Sequence, residues 1–208
     1  MPGLAVGPMD GLVLAGGQAR RMQPVYGAPV DKGLLMLDGQ PLVARARAYL
    51  APHVQRVYIS TNRNAPLYAA YGEPVPDEAD LYDAGPLAGV ASGLARCRAD
   101  WLLVLPVDVV LLPPDLPHRL AQAASAGDTR LAHAVAGGRT QPLCMLLHKS
   151  LQADLQAWLR SGERKVSFWQ RRHEPAQVVF EGPEPWFFNV NSPEDLAQAG
   201  SWLHADGV

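Results

Sequence analysis

The chain has 208 residues, 48% of them hydrophobic, enough to bury one α/β core. Its formal net charge of −2 comes with no basic block, which argues against a nucleic-acid polymer as partner, and no apolar stretch is long enough to span a membrane. The two cysteines, Cys97 and Cys144, lack metal-ligand spacing and read as small buried residues of a reducing compartment, so a cytoplasmic location is expected.

Residues 1–9 lack the cationic and apolar regions of a signal peptide and read as a flexible tail ahead of one domain spanning 10–208. The apolar run 12–15 predicts a buried strand over 10–15 that breaks into Gly16-Gly17, followed by Arg20-Arg21 and by Lys32 in Asp31-Lys32-Gly33. Glycines let backbone N–H groups approach an anion, and cationic side chains neutralise it. Neither a Gly-Lys-Ser/Thr nor a Gly-x-Gly-x-x-Gly is present. The stretch reads as a phosphate-handling loop or, taken alone, as a glycine turn with solvated arginines.

A helix follows over 41–51, with Pro41 at its first position. Residues 56–61 are β-rich, 65–71 read as a short helix, and 73–76 as an extended piece. Residues 86–98 are apolar at helical spacing, through Leu87, Val90, Ala91, Leu94 and Ala95. The continuous apolar run 101–105 predicts the most buried strand, covered on both faces. A helix over 114–126 precedes strands over 131–135 and 142–147, which flank Gly137-Gly138 and should break the parallel order. Helices over 150–160 and 165–173, a strand over 177–180 and a last helix capped by Ser192 complete the chain. The alternation predicts an α/β fold: a mostly parallel sheet with helices on both faces, in three α/β/α layers.

Ligands of such sheets sit outside the carboxyl ends of the strands. Gly16-Gly17, Asn62, Asp77 and Asp108 each follow a predicted strand. Asp108 can hold magnesium against a phosphate; as a helix cap it stands too far ahead of Pro114. Lys32 reads as a mobile point charge for phosphate or as an exposed turn lysine. Arg20 and Arg21 can clamp a triphosphate with their guanidinium forks. Gly85-Pro86-Leu87-Ala88-Gly89 opens a helix whose first amides favour an anion or a base edge, or is an ordinary Gly-Pro helix start. Late in the chain come Arg164-Lys165 and Asn189-Val190-Asn191. Two asparagines flanking a valine share a face if extended. They offer oxygens to a metal and donors to a polar ligand, or serve turn chemistry before the last helix. The six histidines stand at no motif spacing.

In this order and spacing, the motifs resemble the molybdenum cofactor guanylyltransferase family, which makes molybdopterin guanine dinucleotide. The resemblance runs over 11–199 and rests on Leu14-Ala15-Gly16-Gly17, Arg20-Arg21-Met22, Asp31-Lys32-Gly33-Leu34-Leu35, Gly39-Gln40-Pro41-Leu42 and Asn62-Arg63. It continues through Asp77, Gly85-Pro86-Leu87-Ala88-Gly89, Pro106-Val107-Asp108, Gly162-Glu163-Arg164-Lys165-Val166 and Asn189-Val190-Asn191-Ser192-Pro193-Glu194-Asp195-Leu196. It implies a Rossmann-like nucleotidyltransferase that uses GTP and Mg²⁺. Leu14, Ala15, Gly16, Gly17 and Gly85 would line the GTP site, with Asn62 and Asp77 holding the nucleotide. Lys32 would contact phosphate, Asp108 the nucleotide and Mg²⁺, and Arg21 would join them in catalysis. Arg164, Lys165, Asn189 and Asn191 would face molybdopterin, with Asn191 also towards the metal.

The implied reaction is in-line attack of the terminal phosphate of molybdopterin on the α-phosphorus of GTP. The attacking group is already anionic, so positioning and charge neutralisation suffice and no strong base is required. Proteins that deliver the cofactor to molybdoenzymes are the implied partners. Two segments depart from the family. Residues 23–29 replace a short glycine-rich step with Gln23-Pro24-Val25-Tyr26-Gly27-Ala28-Pro29, expected to order over the triphosphate. Pro106-Val107-Asp108-Val109-Val110 stands where the family usually has Pro-Cys-Asp-Thr-Pro. A cytidylyl- or sugar-phosphate nucleotidyltransferase on the same fold, and a catalytically silent nucleotide-binding regulator, remain alternatives.

Overall fold

The structure, a computed structural model, describes residues 6–17, 31–82 and 84–205. Arg20, Arg21 and the 23–29 segment lie outside the described residues, as do 1–5 of the expected tail. The chain opens on β1 (Met9–Leu14) and resumes at a 3₁₀ turn, Lys32–Leu34. A two-stranded ribbon, β2 (Met36–Leu37) and β3 (Gln40–Pro41), leads into α1 (Leu42–Leu50). Then come β4 (Val57–Ser60), α2 (Ala65–Tyr68), β5 (Glu73–Val75), α3 (Pro86–Arg96) and β6 (Trp101–Pro106). After α4 (Leu116–Ala126), β7 (Leu131–Ala136) and β8 (Arg139–His148) form a hairpin. The chain closes with α5 (Gln152–Arg160), α6 (Val166–Arg171), β9 (Ala176–Phe180) and α7 (Pro193–Ala205).

Seven strands form one sheet in the order β5-β4-β1-β6-β8-β7-β9. All run the same way except β8, which is antiparallel to both β6 and β7. The expected break in parallel order therefore falls at the Gly137-Gly138 hairpin. From β1 the chain crosses to β4 on one side and later to β6 on the other. The carboxyl end of β1 is thus the switch point where an open α/β sheet leaves a crevice.

Alternation along the central strands supplies both core layers. Val13, Leu103 and Leu105 face one layer with Leu42, Val43 and Leu50 of α1 and Leu116 and Leu120 of α4. Leu12, Leu102 and Val104 face the other, with Leu87, Val90 and Leu94 of α3 and Leu155 of α5. Helix α3 lies close to the sheet because its small residues face it. A Cβ on Gly93 would stand 2.6 Å from the Leu12 side chain, and one on Gly89 would overlap the Ser60 hydroxyl. The second glycine of Gly85-Pro86-Leu87-Ala88-Gly89 is thus required by packing.

Three boundaries move for physical reasons. Pro41 is extended, with ψ at 147°, and precedes α1 instead of opening it. The helix expected from 114 starts at Leu116, with Pro117 in its first turn, where a missing N–H costs nothing. The strand expected from Pro142 begins at Arg139, because the register with β7 shifts between His133 and Ala134. Met145 pairs with His133 and Gln141 with Ala134, so Pro142, Leu143 and Cys144 fall in a bulge where no ladder bond is demanded of the proline. The Pro142 carbonyl instead accepts the Gln170 amide at 2.7 Å.

Buried polar groups are sparse. Asp10, fully buried near the start of β1, accepts from the backbone N–H groups of Arg98 at 2.9 Å and Ala99 at 3.1 Å, with the Arg56 guanidinium 3.7 Å away. It fixes the turn between α3 and β6. His133 is buried at the bulge, and neither ring nitrogen has a hydrogen-bond partner among the described residues. Desolvation holds its pKa below the usual 6.5, so the folded state binds its proton less readily than the unfolded chain. Its contribution to stability is complete above the unfolded pKa and declines as pH falls through the folded one. Stability should fall below about pH 6.5, and His133→Leu should flatten that acid limb. Urea midpoints at pH 5 and 7.5 check this; an unchanged acid limb would rule His133 out as its source.

Candidate active site

The crevice at the carboxyl ends of β1, β4, β5 and β6 is a cavity of about 380 Å³. Gly16 and Gly17 form its floor where β1 ends. Among the described residues, a Cβ on Gly17 would touch nothing, and one on Gly16 would meet only the Ser60 carbonyl at 3.9 Å. No packing contact of the described residues demands glycine at either position. Their absence leaves space and backbone for a ligand.

One end of the cavity carries Asn62 and Asp77, from the turns after β4 and β5. The Asn62 amide donates to the Asp77 carboxylate at 2.7 Å, and its oxygen accepts the Asp77 backbone N–H at 2.8 Å. This reciprocal pair fixes both side chains before any ligand arrives. Gly85 lies beside it at the mouth of α3, with φ at +84° and ψ at −172°. That conformation is essentially restricted to glycine, so the Gly-Pro start is set by backbone geometry.

At the other end, the Lys32 ammonium donates to Asp108 at 2.6 Å and to the Asn191 amide oxygen at 2.7 Å. These partners stand 76 and 159 positions away in the chain. The late one arrives by a short antiparallel zipper. Val190 N–H donates to the Asp108 carbonyl, Val110 N–H to that of Phe188, and Val109 bridges Asn189. Asp195 then accepts the N–H groups of Asn191 and Ser192 at 2.8 and 2.9 Å, while the Ser192 hydroxyl caps the Asp195 N–H. The expected Ser192 cap is present, and its reciprocal partner, the Asp195 carboxylate, orients Asn191. With 12% of Lys32 and 22% of Asp108 side-chain surface exposed, the pair is shielded but reachable from the cavity.

Among the candidate residues, Leu14, Gly16, Gly17, Lys32, Asn62, Asp77, Gly85 and Asp108 line the cavity, and Asn191 joins it through Lys32. Ala15 does not: it is buried on the other sheet face, one step out of phase with Leu14. Asn189 is exposed, and its amide donates to the Phe187 carbonyl at 3.2 Å. Arg164 and Lys165 lie on the turn before α6 and are not among the lining residues; Arg164 bonds the Leu159 carbonyl, and the Lys165 ammonium sits 4.2 Å above the Phe168 ring. Of the expected Asn189–Asn191 pair, Asn191 meets Lys32 and Asn189 is exposed, because the zipper turns it outward. The further lining residues are Ser60, Pro86, Gly89, Pro106, Val107 and Leu143. Pro86, Gly89, Pro106 and Val107 lie in motifs the sequence already singles out, Ser60 ends a strand, and Leu143 reaches the cavity from the bulge.

The described residues hold no cluster of three or more His, Cys, Asp or Glu suited to a metal. The donor set that exists is one carboxylate and one amide oxygen converging on a single cation, the Lys32 ammonium. Such a site takes a hard cation that keeps its remaining ligands from water and phosphate.

The model of the MobA-like NTP transferase domain family matches residues 11–176. The chain belongs to that family. A relative named molybdenum cofactor guanylyltransferase, from Shewanella amazonensis, is 42% identical over 195 residues, covering 94% of this chain and 97% of its own. Among solved structures, molybdopterin-guanine dinucleotide biosynthesis protein A from Archaeoglobus fulgidus has a TM-score of 0.77 at 21% identity, covering 95% of this chain and all (100%) of that one. A Mycobacterium tuberculosis H37Rv protein in complex with manganese has a TM-score of 0.67 at 15% identity, covering 94% of this chain and 99% of that one. The expected nucleotidyltransferase fold is thus found, and the MobA-like NTP transferase is an enzyme of nucleotidyl transfer. No helix among the described residues is long and apolar enough to cross a membrane.

Proposed function

We propose that this MobA-like NTP transferase transfers GMP from GTP to the terminal phosphate of molybdopterin, releasing pyrophosphate. The observation that carries the reading is the convergence of Lys32, Asp108 and Asn191 at one end of a cavity whose other end is the prealigned Asn62–Asp77 pair. The nucleoside lies against Asn62, Asp77 and the Gly85 turn. The phosphates run over Gly16-Gly17 towards Lys32. Arg21, outside the described residues, adds charge at the triphosphate, and Arg164, Lys165 and Asn189 serve the molybdopterin side.

Asp108 and Asn191 would hold Mg²⁺, whose chemistry there is neutralisation of phosphate charge. Lys32, which meets the same two oxygens here, would neutralise phosphate oxygens beside them. A terminal phosphate oxygen of molybdopterin bonds to the α-phosphorus of GTP as the bond to the β-bridging oxygen breaks; pyrophosphate leaves with that electron pair. Holding the two phosphates in line supplies much of the rate, and no side chain need take a proton. The product would pass to proteins that deliver it to molybdoenzymes, in the cytoplasm.

Pyrophosphate release from molybdopterin with GTP, CTP or UTP and magnesium tests the reading. GTP should be preferred by at least about tenfold, the ratio one well-placed hydrogen-bonding contact provides. A preference for CTP would make the chain a cytidylyltransferase. GTP binding without turnover would make it a silent binder.

A further inference from the structure

The Asp31-Lys32-Gly33 turn is built against α2, which takes no part in the cavity. The buried Tyr68 hydroxyl donates to one carboxylate oxygen of Asp31, and the Asn64 amide donates to the other at 3.0 Å. Asn64 reaches it from a left-handed conformation, φ 54°, which asparagine tolerates better than most residues. With both oxygens engaged, the Asp31 side chain has one orientation. Its carbonyl accepts the Leu34 N–H at 3.1 Å, and the Lys32 carbonyl accepts that of Leu35 at 3.2 Å. Gly33 belongs to the same arrangement: it has no positive φ, but a Cβ there would overlap the Tyr68 hydroxyl. The glycine is therefore set by the approach of Tyr68, not by the conformation of the turn.

The segment that carries this clamp also carries the other pole of the cavity. Asn62, paired with Asp77, stands two residues before Asn64. Between them the Thr61 hydroxyl donates to the Arg63 carbonyl at 2.6 Å, and Thr61 N–H is held by the Val75 carbonyl at 3.0 Å. One short stretch, 61–68, thus grips both the nucleoside pole and the turn bearing the phosphate-pole cation. Burial and the Asp31 bond push the Tyr68 phenol well above its ordinary pKa, so it remains a donor at any working pH.

We propose that Tyr68 and Asn64 are positioning residues for Lys32, clamping Asp31 so that the Lys32 ammonium is presented at the height fixed by the same segment that holds Asn62. The inference rests on the nucleotidyl-transfer reading. Tyr68→Phe removes only a hydroxyl, and Asn64→Gly keeps the left-handed backbone while removing the amide. Each should weaken GTP about five- to tenfold, the loss of one charge-assisted hydrogen bond's worth of alignment, and leave guanosine affinity within twofold. In a Lys32→Ala background, Tyr68→Phe should change GTP affinity by less than about twofold, because the group it positions is gone.

A second readout does not depend on nucleotide. The chain has three lysines, Lys32, Lys149 and Lys165. In ¹³C-labelled protein, the Lys32 Cε–Hε signals should move towards those of a solvated lysine in Tyr68→Phe, while those of Lys149 and Lys165 stay in place. Equal losses for GTP and guanosine, full additivity with Lys32→Ala, or an unmoved Lys32 signal would each overturn the proposal. If wild-type protein binds no GTP, the nucleotidyl-transfer reading fails, and the lysine signals alone decide the positioning role.

Discussion

Asp108→Asn is expected to lower turnover by about two to three orders of magnitude, the usual loss when one preorganised charge-stabilising group leaves a transition state. The substitution preserves shape and one oxygen but removes the charge. Asp108 meets the Lys32 ammonium at 2.6 Å, and with Asn191 it forms the convergent oxygen set of the cavity. Without its charge, the site should hold a divalent cation less tightly, so the magnesium concentration for half-maximal rate should rise. The fold should persist, because an ion pair that stays partly solvated contributes little to stability. Steady-state rates across a magnesium titration, with thermal melts of the same samples, separate the two effects. Near-normal turnover with an unchanged magnesium requirement would remove Asp108 from the chemistry.

Asp10→Ala should have the opposite profile, costing about 3 kcal/mol of stability, or about 1.5 kcal/mol for each of two backbone hydrogen bonds to a charged acceptor. The carboxylate is fully buried, holds the N–H groups of Arg98 and Ala99, and faces Arg56. Its removal orphans a buried amide at Ala99 and frees the turn that starts β6. Asp10 lies near the amino ends of β1 and β6, at the opposite edge of the sheet from the cavity. Turnover by the folded fraction should therefore stay within about twofold, as for a substitution confined to structural support. Urea unfolding should show a lower midpoint with an unchanged slope. A loss below about 1 kcal/mol would mean that water replaces the carboxylate at both amides.

The residues legible in the sequence share one property: they carry polar or conformational chemistry at the end of a strand. Gly16, Asn62, Asp77 and Asp108 were found that way, because hydrophobic periodicity places strand ends well and α/β sheets put ligands there. The exceptions, both residues missed and one named that does not line the cavity, lack one of those marks. Leu143 is an aliphatic residue in a strand, and only the register shift opposite His133 turns it into the cavity. Ala15 carries the motif but has the wrong phase, since alternation sends it to the core beside Val13. The pairing of Lys32 with Asn191 joins positions 159 apart, and no local pattern encodes a contact of that range. Tyr68 reads as an ordinary core aromatic of a four-residue helix; its role appears only when Asp31 is seen against it.

The walls of the cavity are built from different material on its two sides. Towards β4 and β5 they are turns, whose length the sheet does not constrain. Beyond β6 the wall is β8, a strand running backwards whose early residues pair with β7 and whose bulge delivers Leu143. That strand is tied to β7 by a two-residue hairpin, with Gly137 and Gly138 both at positive φ, so an added residue would slip the register and turn side chains to the wrong face. Diversification of such a cavity among relatives should run through chain length on the first side and through residue identity alone on the second.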